Sequence, residues 1–147
     1  MGYIVHKHGA LYAKEYGWDE RFEALVSGIA ADFINHFNPK KERCWIAEMN
    51  GEIVGSVFVV EENEEVAKLR MLLVDPKARG LGLGTRLVEE CIQFSRRVGY
   101  KKMILWTNSI LLDARHIYQK KGFTLISEEK HHSWGHDLVG ETWELKL

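Results

Sequence analysis

The sequence predicts a mixed α/β sandwich, a mostly antiparallel sheet of roughly seven strands flanked by helices. Three observations lead there. Asn50-Gly51 joins two strand-like runs in "CWIAEMNGEIVGSVFVVEE", and that dipeptide suits a two-residue type I′ turn between antiparallel neighbours. The stretch "VAKLRMLLVDP" ends in a continuous aliphatic run, as in a strand covered on both faces. After it, strand and helix alternate through Phe123, which requires at least one parallel pair joined by a right-handed crossover.

In chain order, "GYIVHKHG" reads as a first strand, followed by a short helical stretch around Leu11 to Tyr16. Asp19 is placed to cap a helix that carries Phe22, Leu25, Val26, Ile29, Ala30 and Phe33 at helical spacing and ends near Asn38-Pro39. The hairpin around Asn50-Gly51 supplies the second and third strands, and an acidic turn from Glu61 to Glu65 leads into the fourth, which Pro76 ends. Leu83, Leu87, Val88, Cys91, Ile92 and Ser95 mark a helix stopped at Gly99. "KKMILWTN" is the fifth strand, and "LLDARHIYQKKGF" is a helix with Leu111, Ala114, Ile117 and Tyr118 on one face and Gly122 as its C-cap. "FTLISEEKH" and "ETWELKL" complete the sheet, separated by a polar stretch from Lys130 to Gly140.

The composition bounds the function. A chain of 147 residues with 46% hydrophobic and 28% charged residues is one globular domain, spanning 1–147. A net charge of −1 gives no global footprint for nucleic acid or an anionic membrane. Cys44 and Cys91 form no metal spacing or disulfide framework, as expected in a reducing cytoplasm. The N-terminal stretch is charged throughout, unlike a signal peptide or a membrane span. His131, His132, His136 and Asp137 match no standard metal spacing, so no metal is expected.

The chemistry gathers at "DPKARGLGLGTRL", Asp75 to Leu87. A strand, a glycine-rich turn and a helix N-terminus form a general phosphate-binding device, because first-turn N–H groups lack intrahelical partners and the helix dipole is positive there. The dinucleotide pattern G-x-G-x-x-G fails at Thr85, and the phosphate-loop pattern lacks its lysine. Arg79-Gly80-Leu81-Gly82-Leu83-Gly84 fits R-x-x-G-x-G, and "ARHIYQKKGF" fits A-x-x-x-Y-x-x-x-G-F downstream.

On these two segments the chain resembles the GNAT family of acetyl-CoA-dependent N-acyltransferases. More narrowly, "HGALYAKEYGWDERFE", "ERCWIAE" and "HHSWGHDLVGETWEL" resemble the acetyltransferase half of bacterial proteins in which a MarR-type DNA-binding domain precedes a GNAT domain. The resemblance implies a fourth and a fifth strand that splay apart around acetyl-CoA. It implies that the backbone of Leu72, Leu73 and Val74 pairs with the pantetheine arm and supplies an oxyanion donor. It further implies that Arg79, Gly80, Leu81, Gly82, Leu83, Gly84 and Thr85 hold the pyrophosphate, that Asn108 touches the coenzyme, and that Tyr118 lies near the sulfur as general acid.

Arg115, Lys120 and Lys121 are candidates for the adenosine 3′-phosphate. A glutamate that some members use as base has no counterpart on the fourth strand, where Lys68 and Arg70 stand. Glu15, Glu48, His131 and His132, or a water chain ending on one of them, are the base candidates; Tyr16, Trp18, Trp45, Trp106 and Trp134 are candidates for the acceptor-pocket wall. The expected partner is a small-molecule or peptide amine, with no direct nucleic-acid contact, no membrane and a homodimer left open. The competing reading is a domain that senses an acyl-CoA or metabolite for a DNA-binding partner, with little turnover.

Overall fold

The computed structural model describes residues 1–147. In chain order the elements are α1 (Gly2–Tyr16), α2 (Glu20–Asn35), β1 (Arg43–Met49), β2 (Glu52–Asn63), β3 (Val66–Val74), α3 (Leu83–Val98), β4 (Lys102–Asn108), α4 (Leu112–Lys120), β5 (Thr124–Ser133) and β6 (His136–Lys146), with a 3-10 turn at Pro76–Ala78. The six strands form one sheet in the order β1-β2-β3-β4-β6-β5. Only β3 and β4 run parallel, and every other neighbouring pair is antiparallel.

The expected seventh strand does not exist. "GYIVHKHG" is the first half of α1, a continuous helix through Tyr16. A short apolar run fits either period, and tertiary contacts decide it. Ile4 joins Phe33 and Phe58 in a small buried cluster, and His8, one helical turn on, is buried too. Gly9 allows α2 to cross closely, since a Cβ there would lie 2.2 Å from Glu23 Cγ. The second correction concerns Lys130 to Gly140, which is a long β5–β6 hairpin turning at Trp134-Gly135. Trp134 has a φ of 53° in that turn and packs against Trp18 with ring centroids 4.6 Å apart. Burial of that indole fixes the turn.

Two expected boundaries shift, since α2 stops at Asn35 rather than near Asn38-Pro39 and β2 runs on to Asn63 through the start of the acidic stretch, while other local signals match the structure. Asp19 caps α2 by accepting from the Arg21 N–H at 3.1 Å, and Asn50-Gly51 makes the β1–β2 turn. α3 and α4 cover one face of the sheet, where Val57, Val59, Ala67, Leu69, Met103 and Leu105 meet Leu87, Val88, Cys91 and Tyr118. α1 and α2 cover the other face in two smaller clusters, around Phe58 and around Trp18 and Trp134. No helix is long and apolar enough to cross a membrane.

α1 is tied to the end of β3 by Lys7 Nζ, which donates to Asp75 Oδ2 at 2.9 Å, while Asp75 Oδ1 accepts from the Lys77 N–H. The lysine bond is the leading cause that holds the Asp75 carboxyl below its usual range. A depressed carboxyl stabilises the fold above its unfolded pKa, and that contribution is lost as pH falls through the folded value. Asp75→Asn should therefore lower stability at neutral pH by up to about 1 kcal/mol, with the gap from wild type closing below about pH 3. Thermal melts of both proteins across that range check the sign.

Candidate active site

The turn between β3 and α3 ends in a run of free donors. Arg86 N–H bonds to the Gly82 carbonyl at 3.0 Å as the first intrahelical bond, and the N–H groups from Gly80 to Thr85 find no backbone acceptor. Together with the α3 dipole they form a cradle suited to a diphosphate. Gly80 and Gly82 have φ values of 82° and 74° with open space where a Cβ would be, so their bareness serves the turn and leaves room above it. Gly84 is different. It is buried in the first turn of α3, and a Cβ on it would lie 2.7 Å from Ile117 Cδ1 of α4. Its small size lets the two helices meet.

Beside the cradle, Arg79 is paired with Glu15 of α1 at 2.8 Å. Pairing β3 with β4 stops at Leu69↔Leu105, so the strands part before Arg70 and Trp106. Met71 sits in this gap with a φ of 53°, where β3 holds one more residue than β2 between the Ser56 and Phe58 pairings. This is a bulge with a non-glycine residue in the left-handed region, a strained arrangement costing about 1–3 kcal/mol and typical of functional sites. The edge of Leu72–Val74 that faces β4 has no strand beside it.

Two clefts meet in the gap. The smaller, of about 80 Å³, runs along Leu72, Leu73 and Val74 past Arg79, Asp113 and Ile117. The larger, of about 400 Å³, lies between the sheet and the α1–α2 cover and includes Tyr118 and Asn108. Tyr12, Leu72, Leu111 and Ala114 line both, so the clefts join there. Tyr118 is 4% exposed and its hydroxyl makes no hydrogen bond within the protein. Burial, with smaller contributions from Tyr12 and Cys91, pushes its phenol far above the ordinary value, so it stays protonated.

The larger pocket has an aromatic wall of Tyr12, Trp18, Phe22, Trp106 and Trp134, and two cations, Lys68 and Arg70. No aspartate or glutamate lines it. The Trp106 ring lies over Gly140, where a Cβ would come within 2.7 Å of it. His8 also lines this pocket, a position that reading the segment as a strand concealed. Its spacing one turn before Tyr12 was the available signal.

The base candidates from sequence do not reach this pocket. Glu15 is held by Arg79, and Glu48 lies on edge strand β1. His131 Nε2 is 2.8 Å from Asn108 Oδ1 and its Nδ1 is 2.9 Å from Ser133 Oγ, while His132 pairs with Asp137 and His136 with the Gly17 carbonyl. No group of three or more His, Cys, Asp or Glu side chains is placed to hold a metal ion. Among the aromatic candidates, Trp18, Trp106 and Trp134 line the larger pocket and Tyr16 the smaller, but Trp45 packs against Phe94 on the far side of the sheet. Arg115 bonds to Glu141 and Lys121 to Glu89, leaving Lys120 of these three without an ion pair.

A strand pair that parts beside a free amide cradle, with the buried protonated phenol of Tyr118 in the larger pocket alongside, is the arrangement that the acetyl-CoA-dependent reading of the sequence expects. The model of the acetyltransferase (GNAT) family matches residues 10–123, and the chain belongs to that family. It is 34% identical over 95 residues to human N-acetyltransferase 8B, covering 61% of this chain and 42% of that protein. Spermidine N(1)-acetyltransferase of Escherichia coli K12 is 28% identical over 122 residues, 79% of this chain and 63% of the relative. The chain thus spans less than two thirds of either protein. The fold is shared with YncA, an acetyltransferase of Salmonella typhimurium solved with acetyl-CoA, at a TM-score of 0.75 and 18% identity over 99% of this chain and 87% of that one. Acetyl-CoA is the co-substrate, and the acceptorless amides of Gly80 to Thr85 fit its diphosphate. These relatives give no support to the narrower MarR-linked likeness.

The two kinds of glycine separate by mutation. Gly84→Ala should destabilise the protein by about 1–3 kcal/mol through overpacking, and Ile117→Val, which removes the Cδ1 atom, should recover most of that loss in the double variant. Denaturant titrations of the four proteins in the cycle measure it.

Proposed function

We propose that this chain transfers the acetyl group of acetyl-CoA directly to the primary amine of a small acceptor that carries an anionic group beside an apolar body. The observation that carries the transfer is the junction at Tyr12, Leu72, Leu111 and Ala114, where the cleft along the free strand edge opens into a separate pocket. The smaller cleft suits the pantetheine arm, with the backbone of Leu72, Leu73 and Val74 pairing to it as an added strand. Arg79, Gly80, Leu81, Gly82, Leu83, Gly84 and Thr85 hold the pyrophosphate, and Asn108 acts from the β4 side. A backbone N–H of the Leu72–Val74 stretch steadies the oxyanion, a role worth roughly 3–4 kcal/mol where one such donor has been removed.

Tyr118 is the general acid. Burial keeps the phenol protonated and so available as a donor, and its proton passes to the departing thiolate as the forming amide nitrogen gives one back. The acceptor class follows from the pocket's charges. Lys68 and Arg70 attract a carboxylate or similar anion, the aromatic wall takes an apolar body, and the buried Trp18 Nε1–H, without a partner in the protein, adds a donor. A polycation such as the spermidine named for the Escherichia coli relative would meet like charge here and no carboxylate. A sensing role without turnover has no observation in its favour.

Tyr118→Phe removes only a hydroxyl that makes no protein hydrogen bond, so stability should hold while kcat falls about a hundredfold, with acetyl-CoA affinity unchanged by calorimetry. Unchanged turnover would remove Tyr118 from the mechanism. Release of free coenzyme A should be faster with phenylalanine than with phenethylamine or spermidine, by about tenfold or more in kcat/KM, and Arg70→Gln should narrow that ratio. A preference for spermidine would refute the acceptor class and leave the transfer itself standing.

A further inference from the structure

The transfer needs a neutral amine, and most acceptors arrive as ammonium ions at neutral pH. The pocket has few groups able to take that proton. Tyr12 and Tyr118 are phenols kept protonated by burial, Arg70 is a permanent cation, and no carboxylate lines the wall. Lys68 is drawn toward Glu62, 4.0 Å away, at the rim.

His8 has the required form. Its Nδ1 lies 2.8 Å from the Ile4 carbonyl, and because a carbonyl can only accept, Nδ1 carries the hydrogen. Nε2 is left as a lone pair. It is buried and has no partner in the protein, on a side chain only 2% exposed that lines the larger pocket. A buried polar atom without a protein partner calls for an explanation, and here the side chain that carries it lines the pocket where the acceptor would sit.

We propose that His8 is the general base of the reaction, its Nε2 taking a proton from the acceptor ammonium in the larger pocket. The inference rests on the acetyl-transfer reading above. The acceptor enters as R–NH3⁺ and gives one proton to Nε2, leaving R–NH2 and an imidazolium. The amine lone pair forms the N–C bond to the acetyl carbonyl, whose π electrons move onto oxygen. As the carbonyl re-forms, the C–S bond breaks and its electrons leave on sulfur. Tyr118 protonates that thiolate and recovers a proton from the amide nitrogen. His8 returns the first proton to solvent, so the products are the amide, the thiol and one proton.

The surroundings suit a base that recharges quickly. Burial is the leading effect and holds the imidazole neutral, while the Ile4 carbonyl at Nδ1 and the nearby Met71 carbonyl, which makes no hydrogen bond to Nε2, favour the charged ring. The charged and titratable groups around it are Tyr12 on its own helix, Glu23 of α2 opposite Gly9, Lys68 and Arg70 of β3, and Tyr118 of α4. Met71 is also the bulge residue.

The test compares wild type with His8→Gln over a range of pH, using phenylalanine as acceptor and calorimetry for acetyl-CoA. The expected result is a fall in kcat/KM of about a hundredfold or more near neutrality, with acetyl-CoA affinity unchanged. The wild-type acid limb, placed below the usual histidine value, should give way to a slope that climbs with the free-amine fraction. Added imidazole should partly restore His8→Ala. A merely structural histidine would change neither the slope nor the rescue. Retained turnover, or an acid limb that persists in His8→Gln and so points to Lys68, overturns the proposal. If the variants fail to fold, ¹⁵N spectra of wild type decide: a hydrogen on Nε2 at neutral pH overturns it, and an Nδ1–H tautomer whose Nε2 signal shifts with acceptor supports it. A wild type that releases no coenzyme A with any amine overturns the transfer reading and this inference with it.

Discussion

Pairing between β3 and β4 ends at Leu69 and Leu105 because Met71 takes a left-handed conformation that turns the strand away. Backbone groups beyond a parting strand pair must find partners elsewhere, and in a buried sheet that requirement is severe. The free edge at Leu72–Val74 is therefore a place where an extended polar chain can be received at low cost. The bulge is expensive by itself. It persists because Met71 is packed between both small clusters under the α1–α2 cover, so the helices that wall the larger pocket also hold the strand open.

The cover explains why this site needs so many aromatic residues. α1 and α2 meet only the α1–α2 face of the sheet, and the pocket between them would collapse if filled by flexible aliphatic chains. Trp18, Phe22, Tyr12 and Trp134 stack and cross with ring centroids between 4.6 and 5.2 Å, giving stiff walls with few rotamers to lose. Of the four buried polar side-chain atoms without a partner, two belong to residues lining this pocket, His8 Nε2 and Trp18 Nε1, one acceptor and one donor; Ser56 Oγ and Ser95 Oγ lie outside its lining. An interior designed only for stability would have paired or replaced them.

The glycines of the turn carry two tasks that look identical in the sequence. Gly80 and Gly82 give the backbone its left-handed turn and leave the amides of Gly80 to Thr85 uncovered, whereas Gly84 gives up its side chain to Ile117. Cradle and helix packing are thus linked through one turn, and α4, held by the same contact, brings Ala114 to the junction and Tyr118 to the larger pocket. Arg79 belongs to this arrangement too, since its bond to Glu15 joins the turn to the end of α1.

Local chemistry was legible in the residues themselves. The Asn50-Gly51 turn, the Asp19 cap and the spacing of Arg79, Gly82 and Gly84 after an aliphatic strand each act within a few residues, so their consequence is encoded where they stand. The segment Gly2 to Gly9 was not legible, because its apolar run fits a strand as well as a helix and only burial against Phe33 and Phe58 selects between them. His8 was lost with that choice, whereas Trp134 was already a candidate for the pocket wall although its hairpin read as a polar stretch. The sequence by itself determined the family and the glycine turn at the start of α3. Only the tertiary structure decided which side chains line the larger pocket, because it is assembled from α1, α2, β3, β4, α4 and the β5–β6 turn, whose contacts have no signature within any one of them.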